Sequence, residues 1–214
     1  MITIEKKLLN KIVCVGKNYA DHVNEMGGIK PKEPIFFLKH QECLSRELHS
    51  QHAGDSLHYE LEFCVRILRD DAGHIGIQSF GLAIDLTKRD KQKRLKNAGL
   101  PWEVCKAFSG SLYLTEQVLL SELSDPLSIE EKLHDLEFFL AIDDVLTQHG
   151  KLSDMIFGLR RLIEDADRHF SLQTNDLLLT GTPAGVGVIR QGSQFTCTLK
   201  SCQKIYIEHM VHAQ

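Results

Sequence analysis

Leu57-His58-Tyr59-Glu60-Leu61-Glu62-Phe63-Cys64-Val65-Arg66-Ile67-Leu68-Arg69 is the run whose reading decides the fold. Tyr59, Leu61, Phe63, Val65 and Ile67 alternate with His58, Glu60, Glu62, Cys64 and Arg66. A period of two marks a strand with one buried and one polar face. Glu60 and Glu62 then project to the same side, with Cα atoms roughly 7 Å apart. Like charges this close repel and call for an offsetting charge. One candidate is a divalent cation, because carboxylate oxygens are hard ligands suited to magnesium, manganese or calcium. A third carboxylate, Asp85, ends the apolar run Phe80-Gly81-Leu82-Ala83-Ile84-Asp85. The alternative is plain: two glutamates on the solvated face of an edge strand, which on spacing alone is the commoner arrangement.

Working outward, the run at 74–85 pairs with this strand through a turn at Asp70-Asp71-Ala72-Gly73. Thr87-Lys88-Arg89-Asp90 reads as a capping box with Thr87 as N-cap, opening a helix that Gly99-Leu100-Pro101 stops. Arg89, Gln92, Lys93 and Lys96 share one side of that helix, and Lys88, Lys91 and Lys93 read as solvated. Its start, two residues after Asp85, holds Gln92 near the proposed ion. Upstream, 11–16 and 34–39 are short apolar strands. Between them 17–26 is a short helical segment closed by Gly27-Gly28, a C-cap or a hinge. His22 and Glu25 stand three apart and share a helix face, as a surface pair or as a functional one. A long polar loop is expected over 40–56.

Downstream, strands at 136–142 and 145–146 flank a turn at Asp143-Asp144, and Ser153 is the expected N-cap of an amphipathic helix. The buried strand 176–179 runs into Thr180-Gly181-Thr182-Pro183-Ala184-Gly185-Val186-Gly187. This loop lacks the Gly-Lys-Ser/Thr of a nucleotide P-loop, but its amides and Thr182 could hold a carboxylate. Strands at 195–199 and 204–208 follow.

The chain has 214 residues, 43% hydrophobic and 25% charged, with a net charge of −4. These values fit one globular domain over 1–214 and argue against nucleic acid or an anionic membrane as partner. No stretch approaches the ~18 apolar residues of a membrane span. Residues 1–10 carry no secretory pattern. Six cysteines form no C-x-x-C pair and several sit in apolar runs, which fits reduced thiols in the cytoplasm. From the residues alone, the chain is a mostly β, α+β domain with about two true helices.

In order and spacing, these segments resemble the fumarylacetoacetate hydrolase family, in its short acylpyruvase-like branch. The motifs carrying the resemblance are Val15-Gly16-Lys17-Asn18-Tyr19-Ala20-Asp21-His22, Pro34-Ile35-Phe36-Phe37-Leu38-Lys39 and His58-Tyr59-Glu60-Leu61-Glu62. They continue with Leu86-Thr87-Lys88-Arg89-Asp90-Lys91-Gln92, Gly99-Leu100-Pro101-Trp102 with Lys106, and the loop at 179–187. The resemblance implies a mixed β-roll, a homodimer, and a magnesium ion, with manganese or calcium as alternatives. It implies small 2-oxo acid substrates, foremost acylpyruvates hydrolysed at a C–C bond through a metal-bound enolate, with decarboxylation or tautomerisation of oxaloacetate as the alternative. It makes Glu60, Glu62 and Asp85 the metal ligands. His22 and Glu25 become a water-activating pair on a lid helix, with Gln92 and Lys106 orienting substrate and stabilising charge. Lys17, Tyr19, Arg89 and Thr182 become substrate-binding positions. The sequence departs from the family at His40-Gln41-Glu42-Cys43, where a proline is common, and in a trimmed turn before Asp85. Both stretches border the expected pocket wall. A reading of a different class is a non-catalytic protein whose cation merely ties two strands together. Only an enzyme needs His22, Glu25, Gln92 and Lys106 to face the ion.

Overall fold

The computed structural model describes residues 9–122, 133–202 and 204–214. The N-terminal reading above falls largely on 1–8, outside the described residues. In chain order the first elements are β1 (Ile12–Gly16), α1 (Ala20–Glu25), β2 (Ile35–Lys39), β3 (Leu44–Ser45), β4 (Gln51–His52), β5 (Asp55–Ser56) and β6 (His58–Tyr59). Next come β7 (Leu61–Arg69), β8 (Ile75–Asp85), α2 (Arg89–Asn97), β9 (Leu112–Leu114) and β10 (Val118–Leu119). The last are β11 (Glu137–Ile142), β12 (Val145–Lys151), α3 (Leu159–Phe170), β13 (Leu177–Leu179), β14 (Gly187–Val188), β15 (Gln194–Lys200) and β16 (Ile205–His212). The fold is mostly β with few helices, as the sequence predicts.

The long strands β7 and β8 form an antiparallel hairpin at the centre of a mixed sheet ordered β2-β1-β13-β7-β8-β9-β3, with β10 also on β8. The β1–β13 and β3–β9 pairs are parallel. A second, antiparallel sheet runs β12-β11-β15-β16. The two sheets close on one core. Tyr59, Leu61, Phe63, Val65 and Ile67 point into it and meet Phe80, Phe138 and Phe195. Phe63 stacks on Phe80 at 6.0 Å, and Tyr59 lies edge-on to Phe195 at 5.5 Å between ring centroids.

The opposite face of β7 is buried as well, which corrects the expectation of a solvated side. Cys64 packs with Leu9, Ile12, Cys14, Phe37, Cys43, Ala83, Leu112, Leu177 and Leu179 in a second apolar cluster. Glu60, Glu62 and Arg66 are therefore covered too. Five of the six cysteines are buried and free; Cys202 is exposed.

Four local expectations are corrected. Thr87 does not cap α2: the N-cap position is Lys88, with no side-chain cap bond. Lys88 itself is buried rather than solvated, its Nζ 3.1 Å from Asp55 and over the Phe108 ring. Ser153 lies in a single 3-10 turn, Leu152–Asp154, and the helix starts later, with Gly158 as N-cap. The segment at 40–56 is more ordered than a loop, holding the Gln41–Cys43 3-10 turn and the β4–β5 hairpin.

Candidate metal and acid-base site

Glu60 sits in the gap between β6 and β7, where the chain leaves one short pairing and enters the large sheet. The register Leu61↔Ile84 puts Glu60 opposite Asp85, and the Asp85 amide donates to the Glu60 carbonyl at 2.9 Å. Alternation carries Glu62 to the same face. One oxygen from each of Glu60, Glu62 and Asp85 lies within 4.8 Å of the others, and all three residues are buried.

Three cations surround the carboxylates. Lys106 Nζ donates to Glu60 Oε2 at 2.7 Å, Asp85 Oδ2 at 2.8 Å and Thr87 Oγ1 at 2.6 Å. The Arg89 guanidinium pairs with Glu60 Oε1 and donates to Gln92 Oε1 at 2.8 Å. Lys39 Nζ lies 2.9 Å from Asp85 Oδ1. Its protons are directed to the Ser111 carbonyl, Ser111 Oγ and the Lys106 carbonyl, so Asp85 Oδ1 receives charge without a hydrogen bond.

Burial works against ionised Glu60, but Lys106, Arg89 and His22 outweigh it and hold its carboxyl well below the ordinary range. Glu62 is the reverse. Burial first, then Asp85 and Glu60, push its carboxyl up, although Lys106 and a 2.7 Å bond from the Gly181 amide favour the charged form. For Lys106, Asp85 and Glu60 overcome burial and raise the ammonium. The donor set fits a hard divalent cation. All three ligands are oxygens, their spacing spans about twice a metal–oxygen bond of ~2.1–2.4 Å, and Asp85 Oδ1 has a lone pair free.

His22 and Glu25 come from α1. Asn18, fully buried, fixes the root of this helix: Nδ2 donates to the Thr180 carbonyl at 2.8 Å and the Phe157 carbonyl at 3.2 Å. Its Oδ1 accepts from the Phe157 amide at 2.8 Å. His22 is buried, and its Nδ1 is 3.4 Å from Glu25 Oε2. Glu25 in turn accepts the Gly185 amide at 3.1 and 3.2 Å. Burial lowers the His22 imidazole below its ordinary 6.5, against the opposing pull of Glu60 and Glu25. The Glu60 charge is thus felt at His22 across the cluster.

Lys106 joins Glu60 to Asp85 and Arg89 joins Glu60 to Gln92, Glu62 lies beside the two carboxylates, and the Glu60 charge acts on His22. Lys17 lies to one side: a Cβ on Gly28 would be 3.2 Å from its Nζ, so it runs under the glycine turn. Tyr19 turns into the core, edge-on to Phe138 at 6.2 Å, with its hydroxyl buried and unpartnered. Thr182 Oγ1 is engaged within the protein, donating to the Leu61 carbonyl at 2.8 Å. Sequence reasoning missed Lys39 and Asn18 as site residues and took Thr87 for a helix cap. Of these, only Lys39, a lysine closing an apolar strand, carries a signal of its own.

The chain thus combines a mostly β fold with a buried cluster of three carboxylates that could hold a metal ion and a buried histidine paired with a carboxylate. The model of the fumarylacetoacetate (FAA) hydrolase C-terminal domain matches residues 11–208. The oxaloacetate tautomerase YcgM of Escherichia coli is 36% identical over 200 residues, covering 89% of this chain and 88% of the relative. The mitochondrial oxaloacetate tautomerase FAHD1 of Oryza sativa is 37% identical over 199 residues, covering 86% and 82%. Among solved structures, fumarylpyruvate hydrolase from Pseudomonas aeruginosa in complex with Mn2+ and pyruvate superposes with a TM-score of 0.80 at 25% identity. That match covers 96% of this chain and 89% of the hydrolase. The chain belongs to the fumarylacetoacetate hydrolase family.

Proposed function

We propose that this protein interconverts the keto and enol forms of a small 2-oxo acid, with oxaloacetate as substrate, using a divalent cation held by Glu60, Glu62 and Asp85. The observation that carries this reading is a buried His22 paired with Glu25 at 3.4 Å and acted on by the charge of Glu60 in the buried acidic cluster, with burial favouring the neutral imidazole. Relatives at 36–37% identity that are oxaloacetate tautomerases support the substrate.

The chemistry that a bound magnesium or manganese ion supplies is Lewis acidity toward the 2-oxo oxygen. The residues do the rest. Glu25 holds Nδ1 of His22, which leaves Nε2 as the atom facing substrate. His22 Nε2 takes a proton from C3 of the keto acid, the C–H electron pair becomes the C2=C3 double bond, and the carbonyl pair moves to oxygen. The imidazolium then returns the proton to that oxygen, giving the enol; the reverse steps give the keto form. Lys106 and Arg89 add positive charge where the anion develops.

A second reading is hydrolysis of the C–C bond of an acylpyruvate, favoured by the same pair, which can equally take a proton from water, and by the fumarylpyruvate hydrolase likeness. The test follows keto–enol interconversion of oxaloacetate and pyruvate release from acetylpyruvate, each with Mn2+ or Mg2+ and with chelator. Rapid tautomerisation that chelator abolishes and that His22→Ala slows by about two to four powers of ten is expected. Faster pyruvate release than tautomerisation would make the hydrolase the correct reading. Turnover untouched by chelator would remove the metal from both.

A further inference from the structure

We infer that Gln148 is a positioning residue that fixes the backbone between the two glutamate ligands to the loop carrying Thr182. This inference rests on the reading of the acidic cluster and that loop as one site. Gln148 comes from β12, in the other sheet, and its side chain is 1% exposed. Oε1 accepts the Leu61 amide at 3.0 Å; Nε2 donates to Thr182 Oγ1 at 2.9 Å and to the Pro183 carbonyl at 3.1 Å. Leu61 is the residue between Glu60 and Glu62.

These bonds form a closed ring. The Gln148 oxygen takes the Leu61 N–H, the Leu61 carbonyl takes the Thr182 hydroxyl proton at 2.8 Å, and Thr182 Oγ1 takes a Gln148 N–H. The amide has one workable orientation, since a flip would oppose donor to donor at Leu61 and acceptor to acceptor at Pro183. The glutamine stands where β7 begins, and the Leu61 N–H goes to it instead of to a neighbouring strand. Pairing with β8 holds this peptide at its carbonyl, where Glu60 accepts the Asp85 amide, and a side chain from across the core holds it at its N–H.

The same region receives the loop. β12 is irregular here, with its register against β11 shifting between Leu140 and Ala141, the partners of Gln148 and Leu146. Gly185 packs directly on it: a Cβ there would be 2.1 Å from the Thr147 carbonyl and 3.3 Å from Gln148 Cγ. The Gly185 amide is the one that Glu25 accepts. Through Gln148, the Glu60–Glu62 peptide, Thr182 and the anchor of the acid-base pair share one frame. Errors of about 1 Å at such a frame cost catalysis heavily.

The experiment uses the full chain carrying Gln148→Met, with Thr115→Val as a control. Thr115 is a buried hydroxyl that bonds the Leu82 backbone on β8 outside the site, so its loss weakens the fold without touching the ring. Calorimetric titration with Mn2+ alone and oxaloacetate turnover are measured in both. Gln148→Met is expected to weaken Mn2+ binding about tenfold and lower kcat/KM about a hundredfold, while Thr115→Val stays within threefold on both. Gln148→Met values within threefold of wild type overturn the inference. A wild-type protein that binds no Mn2+ and does not turn over oxaloacetate overturns the site reading itself, a separate result. If Gln148→Met yields no folded protein, Gln148→Glu replaces it, keeping volume and the Leu61 acceptor but facing Pro183 with a second acceptor. For that variant a kcat/KM lowered thirtyfold or more is expected, and one within threefold of wild type overturns the inference.

Discussion

Replacing Lys39 by methionine tests how the acidic cluster is balanced. The lysine side chain has no solvent exposure, and its ammonium is 2.9 Å from Asp85 Oδ1. Removing it leaves a buried carboxylate with one partner fewer and strips the Ser111 and Lys106 carbonyls of a donor. Breaking a buried ion pair from one side costs about 3–5 kcal/mol. For a chain of this size each kcal/mol moves Tm by about 2–4 °C, so a fall of about 6–20 °C is expected. The divalent ion reverses the sign. A divalent ion held by the three carboxylates would be repelled by the Lys39 ammonium beside Asp85, by about 3 kcal/mol per unit charge for a separation on the order of 5 Å and an effective dielectric near 20. Even after relaxation takes most of this, Lys39→Met should bind Mn2+ at least about tenfold more tightly than wild type, equivalent to about 1.4 kcal/mol. By mass action its Tm deficit should shrink in saturating Mn2+. Scanning calorimetry in chelator and in Mn2+, with a Mn2+ titration, provides the assay. A variant within 2 °C of wild type in chelator, or one binding Mn2+ no more tightly, would refute the reasoning.

Two further outcomes are expected. His22 must be neutral to take a proton, and burial holds its imidazole below the ordinary 6.5, so kcat/KM should be full at neutral pH and fall only as acid protonates the ring below that value; an acid limb surviving unchanged in His22→Gln would assign it to another group. Gly185 has φ +96° and no room for a Cβ against the Thr147 carbonyl, so Gly185→Ala should cost about 2–4 kcal/mol in denaturant unfolding and lower activity through Glu25. Unchanged stability would show that the loop can shift freely.

The acidic cluster was legible because two local rules suffice for it. Period two puts Glu60 and Glu62 on one face, and a short turn folds Asp85 back beside them. The two-strand reading around Asp143-Asp144 succeeded for the same reason, with both turn residues in the left-handed region. What was not legible depends on segments far apart in sequence. The polar face of β7 reads as solvated until Leu9, Leu112 and Leu177 are seen to cover it. Thr87 with Asp90 satisfies the capping pattern, yet Lys106, arriving from beyond α2, makes the stronger claim on the hydroxyl. Gln148 looks like an ordinary polar residue of a strand, because nothing within a strand's own pattern reveals a partner in another layer. Ser153 fails as a helix start for a local reason, since one turn of 3-10 geometry ends before α3 begins.

The anchoring of Asn18 turns α1 into a lever with a fixed root. Three side-chain hydrogen bonds hold Asn18, and the next residue, Tyr19, bridges to Met155, whereas the far end runs into Gly27, whose φ is +61° and whose missing Cβ would meet nothing within 4 Å. At about 1.5 Å rise per residue, His22 sits about 4.5 Å and Glu25 about 9 Å from Tyr19. Any tilt about the root therefore moves Glu25 about twice as far as His22. The exposed Glu25–Gly185 contact takes the larger share of any such tilt and His22 the smaller.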